Sequence, residues 1–328
     1  MKAIQQVGYG PPAEVVRLVD VPDLDAPGPG EVVITVEASP IQPTDLLMIE
    51  GTYGHLPSLP HVLGVEGVGR VAAVGRGVTH VSEGDRVLIP PFTPAWAERV
   101  KTGAPWLRRL PDLDLGQLSM LGMNPLTAHV ILTEFAPFGP GDWVLQNGAN
   151  SSVGRAVIPI AKSRGIKTVN VVRRAELVDE LITLGADVVL LDGPDLPGRV
   201  AEATGNAEIM LALDCVGDSA TQDLLNSIAL YGTVVVYSGM SGKPFTASGP
   251  RLLFHGQSIC GFWIFNWLRN SANLCNLAEV FDELLPLLES GALSTPIAGI
   301  FGFDQHLEAL DTAAKLGGKA ILTPRRRP

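Results

Sequence analysis

From about residue 123 onward, the chain repeats one pattern six times: a short apolar, β-branched run and then a helix-like stretch. The runs occupy 143–146, 168–172, 188–191, 209–213, 233–237 and 259–263. Near-continuous apolar runs mark strands buried on both faces, and a helix between successive strands makes each crossover parallel. The pattern therefore predicts an α/β unit, a doubly wound parallel sheet with helices on both faces. The residues before it read differently. Up to about position 120, β-branched segments such as 31–36 and 67–74 are punctuated by Pro and Gly, which predicts a β-rich unit. After Trp267 an amphipathic stretch at 277–285 and a last short strand, Ala320-Ile321-Leu322, are expected to return to that first unit. The expected boundaries are 1–121 for the first part of the β-rich domain, 122–265 for the parallel-sheet domain, and 266–328 for the return.

A length of 328 residues suits two cores of this size. With 46% hydrophobic and 18% charged residues the composition is that of a packed protein rather than a disordered one. The 24 basic and 34 acidic residues leave a net charge of −10, so no general field attracts nucleic acid. Three cysteines, Cys215, Cys260 and Cys275, are too few and too scattered for a disulfide framework. The opening Met1-Lys2-Ala3-Ile4-Gln5 lacks the pattern of an export signal, and no uninterrupted apolar stretch is long enough to cross a membrane. The expectation is a cytoplasmic protein that neither spans nor needs a membrane. The closing Arg325-Arg326-Arg327 reads as a solvated tail.

Between the first run and the next helix lies Gln146-Asn147-Gly148-Ala149-Asn150-Ser151-Ser152-Val153-Gly154. Small residues there let the backbone approach a pyrophosphate, and a helix starting near Ser152 offers free N–H groups and its positive dipole end. Aligned on Gly154, the G-x-G-x-x-G pattern is reduced to Ala149-x-Ser151-x-x-Gly154, so the motif gains its weight from the strand and helix around it. Pro159 falls inside that helix, where a bend is expected. The second run ends at Val172-Arg173-Arg174, where a sheet that binds NAD usually carries an acid for the ribose 2′-OH. Guanidinium groups match a 2′-phosphate instead, so the expected coenzyme is NADPH.

Zinc ligation of the kind used by medium-chain alcohol dehydrogenases is not expected. The first ligand loop reads Ile41-Gln42-Pro43-Thr44-Asp45 without Cys, and the Gly-His-Glu segment reads Gly64-Val65-Glu66. One carboxylate does not make a tetrahedral site, and the six histidines are dispersed.

Several stretches together resemble the zinc-independent medium-chain dehydrogenase/reductases, specifically the mitochondrial trans-2-enoyl-CoA reductases. They are Pro40-Ile41-Gln42-Pro43-Thr44-Asp45, Gly51-Thr52-Tyr53-Gly54, Gly122-Met123-Asn124-Pro125-Leu126-Thr127-Ala128, the turn ending at Gly154, Asn170-Val171-Val172-Arg173, Tyr237-Ser238-Gly239-Met240 and Gly261-Phe262-Trp263. The resemblance covers essentially the whole chain; quinone oxidoreductases share the general order. It implies a GroES-like catalytic domain, a Rossmann coenzyme domain, and NADPH-dependent reduction of the C=C bond of a 2-enoyl thioester. Tyr53 falls on the family's catalytic acid, a role suited to a phenol, which stays protonated at neutral pH.

Coenzyme roles carry over to Asn124 at the nicotinamide, to Asn150, Ser151, Ser152, Val153 and Gly154 at the pyrophosphate, and to Arg173 and Arg174 at the 2′-phosphate. They carry over also to Tyr237, Ser238, Gly239 and Met240, and to Phe262, Trp263 and Ile264, beside the nicotinamide. Lys319 matches a lysine on the coenzyme side of the cleft. Phe262, Trp263 and Trp267 are equally an acyl-pocket lining or core or subunit-interface residues. The family's Thr-Ala-Tyr is Thr127-Ala128-His129 here, and Ser152 replaces a glycine. A homodimer is expected through an exposed edge at 259–264. An NADPH:quinone or enone reductase, and a non-catalytic NADPH sensor or scaffold, are the competing readings; acyl-chain length and carrier are not legible.

Overall fold

The computed structural model describes residues 1–275, 277–315 and 317–324. The arginine run at 325–327, expected as a solvated tail, lies outside the described residues. The chain divides into two compact units. The first holds Met1–Met123, Asn270–Phe281 and Thr295–Pro328; the second holds Asn124–Arg269 and Asp282–Ser294.

The first unit is built on the long strand Glu31–Pro40, whose buried Val32, Ile34 and Val36 feed one core with Val71, Val87 and Val100. It pairs antiparallel with Val68–Val74 and Arg99–Gly103, and near its end with the last strand, Lys319–Thr323, through Ile321 opposite Pro40 and Leu322 opposite Ser39. That pairing sets Lys319 beside the segment that follows Pro40, where the Ile41 amide donates to Ala320 O at 2.9 Å. A smaller antiparallel sheet joins Lys2–Gln6 to Val16–Asp20 and His61–Val62. A second core of Ile4, Ile41, Ile49, Leu63, Trp96 and Leu322 packs the helix Pro43–Glu50.

The second unit is a six-stranded, all-parallel sheet in the order Val188–Leu191, Lys167–Val172, Trp143–Gln146, Leu211–Asp214, Thr233–Val236, Ser258–Gly261. Numbered along the chain, this is 3-2-1-4-5-6, so strand order reverses between the first and fourth strands; open sheets of this kind bind ligands at the carboxyl ends beside that reversal. Its core is made of Leu145, Val169, Val171, Ala212, Leu224 and Val234. The helix Ser152–Ser163 runs through Pro159. Proline removes one hydrogen bond there, while Ile158 and Ile160 on either side are fully buried.

Two details differ from the sequence reading. The sixth strand ends at Gly261, because the helix Ile264–Leu268 takes up the chain after a single further ladder bond, from Phe262 N to Val236 O at 2.9 Å. And Asp282–Ser294, expected with the first domain, groups with the second. Its Glu283 carboxylate is shared by His129 Nε2 at 3.1 Å, on the helix Asn124–Glu134, and by Arg164 at 2.9 Å, which caps the end of the helix Ser152–Ser163.

Candidate active site

The turn after the first parallel strand is held from three sides. Gln146 donates to Gly154 O at 2.9 Å and to Asn170 Oδ1 at 2.6 Å, which ties the turn to the second strand. Asn147 donates to Asp214 at 2.7 Å and accepts from the Cys215 amide at 2.8 Å, which ties it to the end of the fourth strand. Asp214 also accepts from the amides of Val216 and Gly217, both at 2.9 Å, and from Thr221. Ser151 is the N-cap, its hydroxyl accepting from the Gly154 amide at 3.1 Å. A Cβ on Gly154 would lie 2.8 Å from the Ala149 backbone. Only glycine lets the helix start this close to the turn, which brings the helix N-terminus up against the end of the first parallel strand.

The second unit also buries polar atoms without hydrogen-bond partners. Asn124 Nδ2, on the first residue of the helix Asn124–Glu134, has none, nor has the hydroxyl of Tyr237. Burial holds the Tyr237 phenol well above its ordinary range and pushes the neighbouring Cys215 thiol up to about 11, so both keep their protons. Unpaired buried donors cost free energy unless a ligand meets them. With the glycine cradle they fit a dinucleotide. Arg173 and Arg174 are exposed at the end of the second strand, Arg174 within 3.6 Å of Glu176. Ser238, Gly239 and Met240 form an exposed loop after the fifth strand, its return fixed by Met240 N on Cys215 O at 2.9 Å. The aromatic residues pack within their own unit: Phe262 edge-on to Phe135, Trp263 edge-on to Phe265 and under Arg269, and Trp267 donating to Glu134 at 3.4 Å. Ile264 is buried beside them.

In the first unit, Tyr53 stands just past the helix Pro43–Glu50. Gly51 ends that helix in the left-handed conformation at φ 82°, and the next two amides turn back onto it: Thr52 N donates to Leu47 O at 3.0 Å and Tyr53 N to the same oxygen at 3.2 Å. Tyr53 is half-buried.

Lys319 does not stand alone. Its ammonium donates to Gln42 Oε1, and Gln42 Nε2 donates to Glu66 Oε1. Asp45, fully buried, accepts from the Gln42 amide at 2.8 Å. Burial raises Asp45 to about 7 and pushes Glu66 up as well, against the pull of Gln42 and Lys319. Burial likewise lowers Lys319 from the ordinary amine range. Sequence reading placed Gln42 and Asp45 in a loop without a zinc-ligating Cys and Glu66 as the one carboxylate that remains, and did not connect them with Lys319, more than 250 residues on. It also passed over the Asn147–Asp214 clamp. A lone Asp closing an apolar strand run was the available signal.

Among the described residues, no group of three or more His, Cys, Asp or Glu side chains is placed to hold a metal ion. Residues 28–135 match the alcohol dehydrogenase GroES-like domain, and residues 152–288 match the family described as zinc-binding dehydrogenase. Together with the two folds these define a medium-chain dehydrogenase/reductase. The bovine mitochondrial enoyl-[acyl-carrier-protein] reductase is 36% identical over 98% of this chain and 88% of its own. A mycobacterial quinone oxidoreductase structure is 30% identical, covers 99% of this chain and 100% of its own, and superposes with a TM-score of 0.84. A mycobacterial protein complexed with NADPH is 31% identical with the same coverage and a TM-score of 0.83. The chain belongs to the enoyl-[acyl-carrier-protein] reductase family of medium-chain dehydrogenase/reductases.

Proposed function

We propose that the protein reduces the C=C bond of 2-enoyl thioesters with NADPH, and that Tyr53 is its proton donor. The observation that carries this reading is the near-full-length likeness to an enoyl reductase in a chain that keeps Tyr53 on a fixed helix cap. NADPH, when bound, supplies the hydride to the β-carbon. Negative charge then gathers on the thioester oxygen, and the Tyr53 phenol hydrogen-bonds that oxygen or delivers a proton to the α-carbon. The turn from Asn150 to Gly154 holds the pyrophosphate, Asn150, Ser152 and Val153 through their amides, Ser151 as the N-cap and Gly154 by its lack of a Cβ, and Arg173 and Arg174 hold the 2′-phosphate. Asn124, Tyr237 to Met240 and Phe262 to Ile264 flank the nicotinamide end. No covalent nucleophile is needed.

Likeness to a quinone oxidoreductase at 30% identity supports a second reading, reduction of quinones or enones. A panel of NADPH oxidation rates decides between them. The expected result is turnover of crotonyl-CoA and longer enoyl-CoAs at kcat/KM at least about tenfold above that for benzoquinone, a margin of about 1.4 kcal/mol in transition-state binding. The opposite order gives the reaction to quinones, and no turnover of either removes the enzymatic reading.

We also propose a homodimer. The edge strand Ser258–Gly261 pairs only with Thr233–Val236 among the described strands, and near it lie Tyr231, Leu253 and Phe254, 75%, 77% and 81% exposed. The Tyr231 amide donates to His255 O at 2.9 Å, which joins the tyrosine loop to the helix Gly249–Phe254. An apolar surface beside an open sheet edge suits a second copy of the chain. The wild type is expected to sediment at twice the chain mass and the Leu253→Glu/Phe254→Glu variant at the chain mass. A monomeric wild type sinks the proposal. A reducing, cytoplasmic setting agrees with the free thiols Cys215 and Cys260. Among the described residues no helix is long and apolar enough to cross a membrane.

A further inference from the structure

The cluster at the start of the helix Pro43–Glu50 holds two carboxyls, one amine and one amide, drawn from three stretches of the first unit: Gln42 and Asp45 at the helix start, Glu66, and Lys319. Gln42 is 3% exposed, Asp45 0% and Glu66 3%. The Gln42 amide joins the other groups in one sense only, its oxygen accepting from Lys319 and its nitrogen donating to Glu66. Asp45 Oδ1 and Glu66 Oε2 are buried without hydrogen-bond partners. Among the described residues, the other groups that act on the two acids are uncharged: the backbone amides of Gly64 and Val65 toward Asp45, and that of Met123 toward Glu66.

A buried group of two acids and one amine is electrically neutral only when it carries two protons, and burial strongly favours the neutral state. With Lys319 protonated, one of the two carboxyls must then remain a carboxylic acid. The cluster also lies at one end of a short rigid rod. Gln42 is the N-cap of an eight-residue helix, and the far end of that helix, through Leu47 O, fixes the amides of Thr52 and Tyr53. The helix spans about 12 Å at the usual rise per residue.

We propose that Gln42, Asp45, Glu66 and Lys319 form a charge-neutral clamp holding one carboxyl protonated, and that by locking the root of this helix the clamp positions Tyr53. Lys319 is thereby a positioning residue. Its effect on catalysis rests on the Tyr53 reading given above; the shared proton does not. In this clamp, losing the amine leaves two acids that both take up protons, whereas losing one acid leaves an ion pair that needs none.

Infrared spectroscopy of the whole protein at pH 7 tests the proton. The wild type should show one protonated-carboxyl stretch that Glu66→Gln and Asp45→Asn each abolish and that Lys319→Met increases about twofold, one acid becoming two. A wild type without that band, or a band that survives both acid substitutions, overturns the clamp; the wild-type and Glu66→Gln spectra decide this even where Lys319→Met does not fold. Positioning is read by fluorine NMR on protein carrying fluorotyrosine at its four tyrosines, with the Tyr53 signal assigned by Tyr53→Phe. Lys319→Met should shift or broaden the Tyr53 resonance and leave that of Tyr231 in place. It should also lower kcat on crotonyl-CoA by about tenfold, with KM for NADPH within about twofold, as expected for a small misplacement of a reacting group. An unmoved Tyr53 resonance overturns the positioning role. A wild type inactive on enoyl thioesters removes the Tyr53 reading and leaves the infrared result standing.

Discussion

Tyr53→Phe is expected to lower kcat for crotonyl-CoA reduction by about 10²–10⁴-fold, the range usual for loss of a positioned general acid. The substitution removes one oxygen from a half-buried ring. Its backbone anchor, Tyr53 N on Leu47 O, is untouched, so the loop past Gly51 keeps its shape. Binding of NADPH, measured by fluorescence titration, should stay within about twofold, because Tyr53 belongs to the first unit and the phosphate cradle to the second. The loss should fall on kcat and kcat/KM alike, since the phenol meets charge that exists only as the hydride arrives. Tyr9, also in the first unit, provides a control. Its hydroxyl donates to Pro57 O at 2.9 Å and its ring packs beside Gly51, so Tyr9→Phe should leave kcat within about twofold. A Tyr53→Phe enzyme with the wild-type rate takes Tyr53 out of the mechanism.

The parallel sheet was easy to read from the residues because its signal is local. Each strand is a short, largely apolar run between turn residues, and four of the six observed strands fall within one residue of the expected bounds at both ends. Ser151 and Gly154 were legible for the same reason: a small N-cap and a close-approach glycine have to sit next to the helix they start. The clamp was not legible. Gln42, Glu66 and Lys319 meet only because the last strand returns antiparallel to the end of Glu31–Pro40, a pairing that no short window contains. Asp282–Ser294 went to the wrong unit in the sequence reading because its amphipathic pattern specifies a buried face without specifying the partner of that face. Glu283 anchors that segment by meeting His129 and Arg164, both more than 100 residues away along the chain, a contact that no short window of sequence contains.

Removing both guanidiniums at the end of the second parallel strand should reverse much of the coenzyme preference. In Arg173→Ala/Arg174→Ala, kcat/KM for NADPH is expected to fall by about 10²-fold while that for NADH changes by less than about threefold. A charge-assisted hydrogen bond contributes about 1.5–3 kcal/mol. Both side chains are exposed, and Arg174 is already near Glu176, so the lower figure applies after solvent screening; two contacts then give about 3 kcal/mol, or about 10²-fold. The loss should appear in KM for NADPH with kcat nearly constant, because the 2′-phosphate is bound equally in the ground and transition states. Added salt should weaken NADPH binding to the wild type and have little effect on the variant, since the screened charges are gone. Folding should be unaffected: both side chains are exposed, among the described residues no buried hydrogen bond involves either, and the strand is held by its ladder to Trp143–Gln146 and Val188–Leu191. A single Arg173→Ala should show the larger share of the effect, because Arg174 shares its charge with Glu176. An unchanged NADPH-to-NADH ratio in the double variant would place the 2′-phosphate away from this strand end, and the coenzyme preference would then have to come from residues that the sheet does not bring there.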